Sequence, residues 1–331
     1  MSETIRWGIL ATGGIAHAFT KDLVQHGHTV QAVGSRSQQS ADAFAAEFGI
    51  PTAHSSYEGL VADDDVDIVY ISTPHPFHAE NAELALNAGK HVLIEKPITL
   101  NADEARRIVE LAAEKNLLLL EAMWTRFLPH VVRIREIIEA GTLGQVRSFM
   151  ADHTQKITDD PTHRLNALEL GGGALLDLGI YPVSFAAHLF GTPQSVQASA
   201  TFRETGADAQ VATLFRYADG QLATTLSASN TKGPNVASIL GTEGRIDIDA
   251  VWYSPTSFRV LNSAGEVTES FESQITGRGM QFQAEEAERL IAAGSTASEI
   301  LSPAESVSIM ETLDEVRRQI GLVYPGEPSA S

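Results

Sequence analysis

The first 122 residues alternate short apolar runs with amphipathic stretches, and this alternation limits the possible folds more than any other feature of the chain. Several of the apolar runs lack a polar face, which is typical of parallel strands covered by helices on both sides. The predicted strands are 5–10, 30–35, 68–73, 91–95 and 117–123. The predicted helices are 15–25, 39–48, 79–88 and 102–115. Strand–helix units of this length predict a doubly wound α/β domain over residues 1–122.

The pattern changes in the remaining residues, 123–331, which we assign to a second domain. A helix over 128–140, a strand over 145–153 and a helix over 174–189 are predicted first. From residue 196 onward, β-rich runs are separated by turn residues such as Ala218-Asp219-Gly220. This spacing predicts antiparallel hairpins, followed by two closing helices over 280–293 and 303–319.

Composition restricts the possible partners and the compartment. The formal net charge of −19 would repel phosphate backbones and acidic membrane surfaces, so we predict neither a nucleic-acid nor a membrane partner. No apolar run approaches the roughly 18 residues that span a bilayer, and the short polar start predicts no signal peptide. The chain has no cysteine, which excludes disulfides and thiolate chemistry and fits a cytoplasmic protein.

A small-residue turn follows the first predicted strand. Aligned with the dinucleotide-binding pattern G-x-G-x-x-G/A, it places Ala11 at the first glycine, Gly13 at the second and Ala16 at the third. Such a turn lets backbone N–H groups and a helix N-terminus approach a pyrophosphate. The predicted cofactor contacts here are Ala11, Thr12, Gly13, Gly14 and Ile15. The alternative is a turn that needs small residues only for packing.

The end of the second predicted strand indicates which nicotinamide cofactor is bound. An acidic residue at this place would bind the ribose 2′-hydroxyl of NAD, but the sequence reads Ser35-Arg36-Ser37. A cation and two hydroxyls suit a 2′-phosphate, so we predict NADP, with NAD possible. The alternative is that Arg36 is a solvated residue at the start of a helix.

Three further residues suit alcohol oxidation. Lys96, within Glu95-Lys96-Pro97, follows a strand at the carboxyl edge, where such sheets bind ligands. Asp177 and Tyr181 are four residues apart, so they project from one face of a predicted helix. A tyrosine hydroxyl can exchange the substrate proton when a nearby ammonium lowers its pKa, and a carboxylate can orient a second hydroxyl. The alternative is that Asp177 caps a turn while Tyr181 packs in a core.

Together these motifs resemble the Gfo/Idh/MocA oxidoreductase family over nearly the whole chain. Thr73-Pro74, Glu95-Lys96-Pro97 and the segment from Gly171 to Tyr181 carry the resemblance. It is closest to the branch of dimeric dihydrodiol dehydrogenases and NADP-dependent D-xylose dehydrogenases. The branch is supported by Glu121-Ala122-Met123-Trp124-Thr125-Arg126-Phe127 and by Gly279-Met280-Gln281-Phe282-Gln283-Ala284-Glu285-Glu286.

The resemblance implies a Rossmann domain followed by an α/β domain with an open, mostly antiparallel sheet, through which the family forms homodimers or homotetramers. It implies that Lys96 and Tyr181 form a proton-transfer pair, that Asp177 positions the substrate, and that the Lys96–Pro97 peptide is cis. The sequence departs from the family at Ala11, where many relatives have glycine, and at His75, where asparagine is frequent.

The remaining candidates fall into two groups. Those expected near the cofactor are Thr73, Pro74, His75, His78 and Glu95. Those expected to bind substrate, besides Asp177, are Trp124, Arg126, Phe127 and His153. Aromatic faces suit sugar rings or arene diols, although Trp124, Arg126 and Phe127 could equally form a domain-interface cluster. His75 and His78 have no accompanying ligand cluster, so no metal site is predicted.

Three functions compete at this point. The first is NADP-linked oxidation of a cyclic aldose to its lactone, or of a related vicinal diol. The second is NADPH-dependent reduction of a ketosugar or dicarbonyl sugar by the same residues. The third is a non-catalytic NADP-sensing regulator, which would need the cofactor pocket but not Lys96, Asp177 and Tyr181 together. We therefore predict a dehydrogenase acting on CH–OH groups.

Overall fold

The chain divides into two compact units whose boundaries differ from the predicted ones. In the computed structural model, which describes residues 4–327, the first unit contains the chain up to Trp124 together with Gly277–Val307. The second contains Thr125–Thr276 and the chain from Ser308 onward. The predicted split into two continuous domains therefore missed a returning segment. Sequence order alone carries no signal for such a return, because the segment is held by contacts with residues 185 to 281 positions away.

The first unit contains a six-stranded sheet in the order β3-β2-β1-β4-β5-β6, with every neighbouring pair parallel. Its strands are β1 (Arg6–Leu10), β2 (Thr29–Gly34), β3 (Thr52–His54), β4 (Ile68–Ile71), β5 (His91–Glu95) and β6 (Leu119–Ala122). Its helices are α1 (Gly14–Gln25), α2 (Gln38–Phe48), α3 (Tyr57–Val61), α4 (His78–Asn87), α5 (Ala102–Lys115) and α8 (Gln281–Ala292). The predicted doubly wound sheet is confirmed. The short elements β3 and α3 were missed because three to five residues show no periodicity.

The returning segment packs on the first helix of this unit. The backbone N–H of Met280, just before α8, donates to the buried carboxylate of Asp22 on α1 at 3.0 Å. Further along α8, Glu288 accepts from the indole N–H of Trp7 on β1 at 2.7 Å. A carboxylate at a helix N-terminus satisfies a backbone donor and complements the helix dipole. These two contacts hold the start and the middle of α8 against α1 and β1.

The second unit contains an eight-stranded sheet in the order β14-β13-β12-β11-β7-β10-β9-β8. Its strands are β7 (Val146–Thr154), β8 (Ser195–Phe202), β9 (Asp208–Arg216), β10 (Leu222–Ala228), β11 (Ala237–Gly241), β12 (Gly244–Ile248), β13 (Phe258–Asn262) and β14 (Val267–Phe271). Only β7 and β10 pair in parallel, which confirms the predicted mostly antiparallel sheet. The parallel pair arises because β7, which precedes the hairpins in sequence, lies between β10 and β11.

The helices of the second unit include α6 (Pro129–Glu139) and α7 (Ile180–Phe190), and α7 continues directly from a π-helical turn, Leu175–Gly179. Helix α7 and the turn before it pack against β7 and β10 of this sheet. The last helix, α9 (Pro303–Ile320), begins in residues of the first unit and ends in residues of the second. One helical stretch, Leu168–Phe190, is long and apolar enough to span a membrane by length and composition, contrary to our reading of the sequence. However, 78% of its apolar window is buried within the structure, as in a core helix.

Candidate active site

The turn after β1 has the shape of a dinucleotide-binding loop. The Ala11 N–H donates to the carbonyl of Gly34 at 2.9 Å, and Gly13 is the N-cap of α1. A Cβ added at Gly13 or Gly14 would meet no protein atom within 4 Å, whereas one at Gly8 would lie 2.9 Å from Val66. Packing therefore requires a glycine at residue 8 but not at 13 or 14. The open space at the N-terminus of α1 instead suits a phosphate that approaches the backbone closely.

Ala11 adopts the backbone conformation of the glycine that it replaces. Its φ is +80°, in the left-handed region that favours glycine. The Cβ of an L-residue costs about 1–2 kcal/mol in that region. The departure from the family pattern thus lowers the stability of the turn but leaves its shape intact.

The residues after β2 combine an exposed cation with a capped helix. Ser35 is buried, while Arg36 is exposed and makes no hydrogen bond or ion pair with any residue in 4–327. Tyr57 lies nearby: burial raises the pKa of its hydroxyl, and the charge of Arg36 opposes that rise. The Ser37 hydroxyl is the N-cap of α2, where it accepts from the Ser40 N–H and donates to the Ser40 hydroxyl. Arg36 is therefore the residue here best placed to receive an anionic group.

Lys96 lies in a turn with a well-anchored backbone. Its N–H donates to the carboxylate of Glu95 at 3.2 Å, and the other oxygen of that buried carboxylate accepts from the Tyr70 hydroxyl at 2.5 Å. The Lys96–Pro97 peptide is cis, as the family resemblance implied. Glu95 thus contacts the Lys96 backbone and lies beneath the turn.

His78 lies between the turns that follow β4 and β5. Its ring is fully buried, with Nδ1 2.8 Å from the Pro97 carbonyl oxygen and Nε2 2.8 Å from the Thr73 carbonyl oxygen. Burial lowers its pKa to about 4, so the ring is neutral and donates one N–H to one of these carbonyls. Both ring nitrogens face backbone carbonyls, so neither is directed at a cofactor, and the predicted cofactor contact of His78 stays untested. His78 joins the turn after β4 to the Lys96–Pro97 turn.

The turn after β4 lies at the carboxyl edge of the sheet, as the Lys96 turn does. Ser72, which the sequence analysis overlooked, donates its hydroxyl to the Leu10 carbonyl at 2.9 Å and so joins the ends of β4 and β1. The Thr73 hydroxyl accepts from the Asn81 amide at 3.2 Å, and Pro74 precedes a short 3-10 turn that begins at His75. These contacts hold the residues predicted to lie near the cofactor at the carboxyl ends of neighbouring strands.

Asp177 and Tyr181 of the second unit lie on consecutive turns where the π-helical turn passes into α7. The turn begins under tight constraint: the buried carboxylate of Asp208 accepts from the Leu175 N–H at 2.7 Å. Gly173 has a φ of +140°, and a Cβ there would collide with Asp208. Burial raises the pKa of Asp208 to about 6. The glycine triplet is therefore needed for close packing, and the π turn is of a kind often found at functional sites.

Asp177 is buried and faces an arginine that sequence spacing did not reveal. Its Oδ1 accepts from Nη1 of Arg164 at 3.1 Å. The side chain of Asp177 is 9% exposed and that of Arg164 52%. The arginine reaches the carboxylate from a loop 13 residues earlier, a distance that fits no helical repeat.

Tyr181 belongs to a cluster of three rings. The His153 ring stacks on Tyr253 with centroids 3.7 Å apart and meets the Tyr181 ring edge-on at 4.9 Å. His153 Nδ1 lies 3.1 Å from the Leu178 carbonyl, and Nε2 lies 3.0 Å from the Gln155 amide nitrogen. These partners assign the proton of a neutral ring to Nδ1. Burial raises the pKa of Tyr253 to about 12, so its hydroxyl stays protonated at neutral pH.

The other predicted substrate residues are more deeply buried than expected. Arg126 is 2% exposed, and its guanidinium donates to the hydroxyl and the carbonyl of Ser184 on α7, at 3.1 and 2.8 Å. These bonds give Arg126 a structural role within the second unit, and its binding of substrate hydroxyls stays a prediction. Trp124 and Phe127 are also buried, at 7% and 4% exposed. In residues 4–327, no group of three or more His, Asp or Glu side chains is arranged to hold a metal.

Two sequence models of one family match the chain. The first, described as "Oxidoreductase family, NAD-binding Rossmann fold", covers residues 5–123, and the second, described as "GFO/IDH/MocA C-terminal domain", covers residues 131–247. The chain belongs to the Gfo/Idh/MocA family. The predicted resemblance is confirmed, and the chain is an NAD(P)-dependent oxidoreductase.

Similar proteins cover the chain almost completely. A trans-1,2-dihydrobenzene-1,2-diol dehydrogenase from Danio rerio is 36% identical over 97% of this chain and 98% of its own length. A D-xylose 1-dehydrogenase (NADP(+)) from Hypocrea jecorina is 35% identical over 97% and 93%. Among solved structures, a 3-ketoreductase from Actinomadura kijaniata in complex with NADP and TDP-benzene is 27% identical, with a TM-score of 0.84 over 96% of this chain and 98% of that one.

The glycine turn generates a prediction that separates ligand binding from packing. Gly13→Ala should leave the free energy of unfolding within about 1 kcal/mol of the parent, because its Cβ meets no protein atom and its φ of −78° suits alanine. The affinity for NADP should fall at least about tenfold, because the methyl group occupies space that the pyrophosphate approaches. Urea unfolding and fluorescence titration measure the two quantities.

Gly8→Ala is the matched control, since its Cβ would clash with Val66 beneath the same turn. This control should lower stability. Unchanged NADP affinity in Gly13→Ala would show that the turn is small only for reasons of folding.

Proposed function

We propose that the enzyme transfers a hydride between NADP and a cyclic aldose or a related vicinal diol. The observation that carries the proposal is the pair Asp177 and Tyr181, a buried carboxylate and a phenol on consecutive turns beside the rings of His153 and Tyr253. Oxidation of an alcohol needs a group that takes the hydroxyl proton, and polyol rings need a polar partner beside an apolar wall. The names of the similar dehydrogenases support the same substrate class.

In this proposal Tyr181 exchanges the proton of the reacting hydroxyl with Lys96 as its partner. A positive ammonium favours the phenolate form and so lowers the cost of removing a proton from tyrosine. Tyr253 cannot take that role at neutral pH, because burial raises its pKa to about 12. NADP supplies the hydride acceptor at its nicotinamide ring when bound.

Asp177 orients the substrate through a second hydroxyl. The ion pair with Arg164 fixes its carboxylate, and each carboxylate oxygen can accept more than one hydrogen bond. Arg164, on its exposed loop, is a second donor for substrate hydroxyls. The reverse reaction, reduction of a ketosugar, would use the same residues. A purely sensing role is disfavoured because it would not need the buried Asp177 or its arginine.

We further propose NADP rather than NAD as the preferred cofactor, with Arg36 binding the 2′-phosphate. Purified enzyme given NADP and a panel of aldoses, cyclitols and dihydrodiols should show an absorbance increase at 340 nm with at least one substrate. Arg36→Ala should raise KM for NADP by about tenfold or more and leave KM for NAD within about twofold, because only NADP carries the phosphate. Tight cofactor binding without turnover of any substrate would favour the sensor, and a parental preference for NAD would refute the assignment of Arg36.

If Lys96 and Tyr181 both take part in proton transfer, removing either group should lower turnover by a similar factor. Lys96→Met and Tyr181→Phe should each lower kcat at least about a hundredfold with little change in cofactor affinity, because each removes a proton-transfer group while keeping the size of the side chain. Steady-state rates and NADP titrations of both variants provide the measurement. Tyr253→Phe is the control within the same ring cluster and should keep kcat within about tenfold. Near-parental turnover in Lys96→Met or Tyr181→Phe would refute the role of that residue.

The outer face of the second unit's sheet supports a homodimer or homotetramer. On β10 the side chains alternate, with Leu222 and Leu226 exposed, while Met150 on the neighbouring β7 is exposed on the same face. Adjacent exposed apolar side chains on a sheet mark an interaction surface. We propose no nucleic-acid or membrane partner and place the enzyme in the cytoplasm, consistent with its acidic, cysteine-free composition.

Leu226→Arg should convert the assembly to monomers, because a buried unpaired guanidinium costs more than the contact contributes. Sedimentation velocity of the purified protein measures the mass. Val267→Arg, at an exposed position on the edge strand β14, should leave the assembly unchanged. A parental enzyme that sediments as a monomer would contradict the proposed interface.

A further inference from the structure

Three successive backbone groups around the Lys96 turn are held by three buried side chains. Glu95 accepts from the Lys96 N–H, and a ring nitrogen of His78 lies at hydrogen-bond distance from the Pro97 carbonyl. The third contact is made by Glu121 on β6, whose Oε1 accepts from the Ile98 N–H at 3.0 Å. Glu121 therefore fixes the backbone of this turn at Ile98, two residues after the lysine.

Glu121 in turn is held by a residue of the returning segment. The carboxylate is 3% exposed, and its second oxygen accepts from the hydroxyl of Ser306 at 2.6 Å. The two residues are 185 positions apart in sequence. A buried carboxylate remains ionised at low cost only when donors compensate for lost water, and bonds to a charged acceptor are short and strong. The Ser306 hydroxyl is such a donor.

Helix formation does not explain why residue 306 is a serine. Ser302 already caps the start of α9, because its hydroxyl accepts from the Glu305 N–H at 3.1 Å. Ser306 is 1% exposed, and a buried serine in a helix is less favourable than alanine unless its hydroxyl is bonded. Its hydroxyl donates to Glu121, so the contact points toward the turn rather than toward the helix.

We propose that Ser306 is a positioning residue for Lys96 and acts through Glu121. Loss of the hydroxyl removes a short hydrogen bond to the carboxylate, which then turns or takes up a proton and weakens its bond to the Ile98 N–H. The lysine turn loses its anchor on that side, and the ammonium moves away from its working position. A residue of the returning segment thus helps to hold Lys96, the residue of the first unit to which we assign proton transfer. This inference rests on the catalytic role proposed for Lys96.

Ser306→Ala tests the inference because it should lower kcat and leave KM unchanged. We expect kcat to fall about tenfold, because a displacement of the order of 1 Å costs one to two orders of magnitude in rate. KM for NADP and for the substrate should stay within about twofold. Ser306→Thr keeps the hydroxyl and should restore kcat. Ser308→Ala removes a hydroxyl from the same helix that contacts Thr192 instead, and it should leave kcat unchanged.

A second measurement detects the lysine without using activity. The chain has six lysines, so reductive ¹³C-methylation gives a small set of dimethyl-lysine NMR signals, and Lys96→Arg identifies the Lys96 signal by its loss. In Ser306→Ala the chemical shift or titration midpoint of that signal should change, while the other five signals stay in place. An unchanged Lys96 signal together with a parental kcat would overturn the inference.

The Lys96→Met background distinguishes failure of this inference from failure of the proposed function. If Ser306 acts through Lys96, Ser306→Ala should slow Lys96→Met by much less than it slows the parent. A full additional loss in that background would mean that Ser306 acts by another route. Parental turnover in Lys96→Met alone would refute the proton-transfer role proposed for Lys96, whereas slow Lys96→Met with normal Ser306→Ala would refute only the positioning role of Ser306.

Discussion

The parallel sheet of the first unit imposes the constraint on which the rest of that unit depends. Its strands are largely buried, except the half-buried edge strand β3, so polar groups meet ligands mainly where the strands end. At the carboxyl edge, the chain leaves β1 at the Ala11–Gly14 turn, β4 at Ser72 and β5 at Lys96. The neighbours of β1 are β2 on one side and β4 on the other, which is the reversal of strand order where such sheets bind nucleotides.

Buried carboxylates that accept from distant backbone N–H groups recur in both units. Asp22 holds the Met280 N–H before α8, Glu121 holds the Ile98 N–H beside the lysine turn, and Asp208 holds the Leu175 N–H at the π turn. Each carboxylate satisfies a backbone donor that an irregular segment would otherwise leave buried and unbonded. The segments with functional residues are therefore fixed by long-range polar contacts rather than by local helix or strand propensity.

The sequence predicted the elements that periodicity can reveal. Helix α5 and strand β5 were predicted with the bounds that the structure shows, because each has a clear apolar pattern and clear flanking residues. The glycine turn, Arg36 and the spacing of Asp177 and Tyr181 were also visible, since each depends on residues near one another in the chain. The burial of His78 and Arg126 was not visible in the sequence, because a polar residue type does not show whether its donors already face the backbone.

The sequence by itself determined the alternation of strands and helices, the family and the residue types available for hydride and proton transfer. These follow from local periodicity and from motifs a few residues long. Only the tertiary structure decided that residues 277–307 return to the first unit, that Arg164 pairs with Asp177 and that Ser306 meets Glu121. Such contacts join positions separated by 13 to more than 250 residues, and their formation depends on packing and desolvation that no local pattern records.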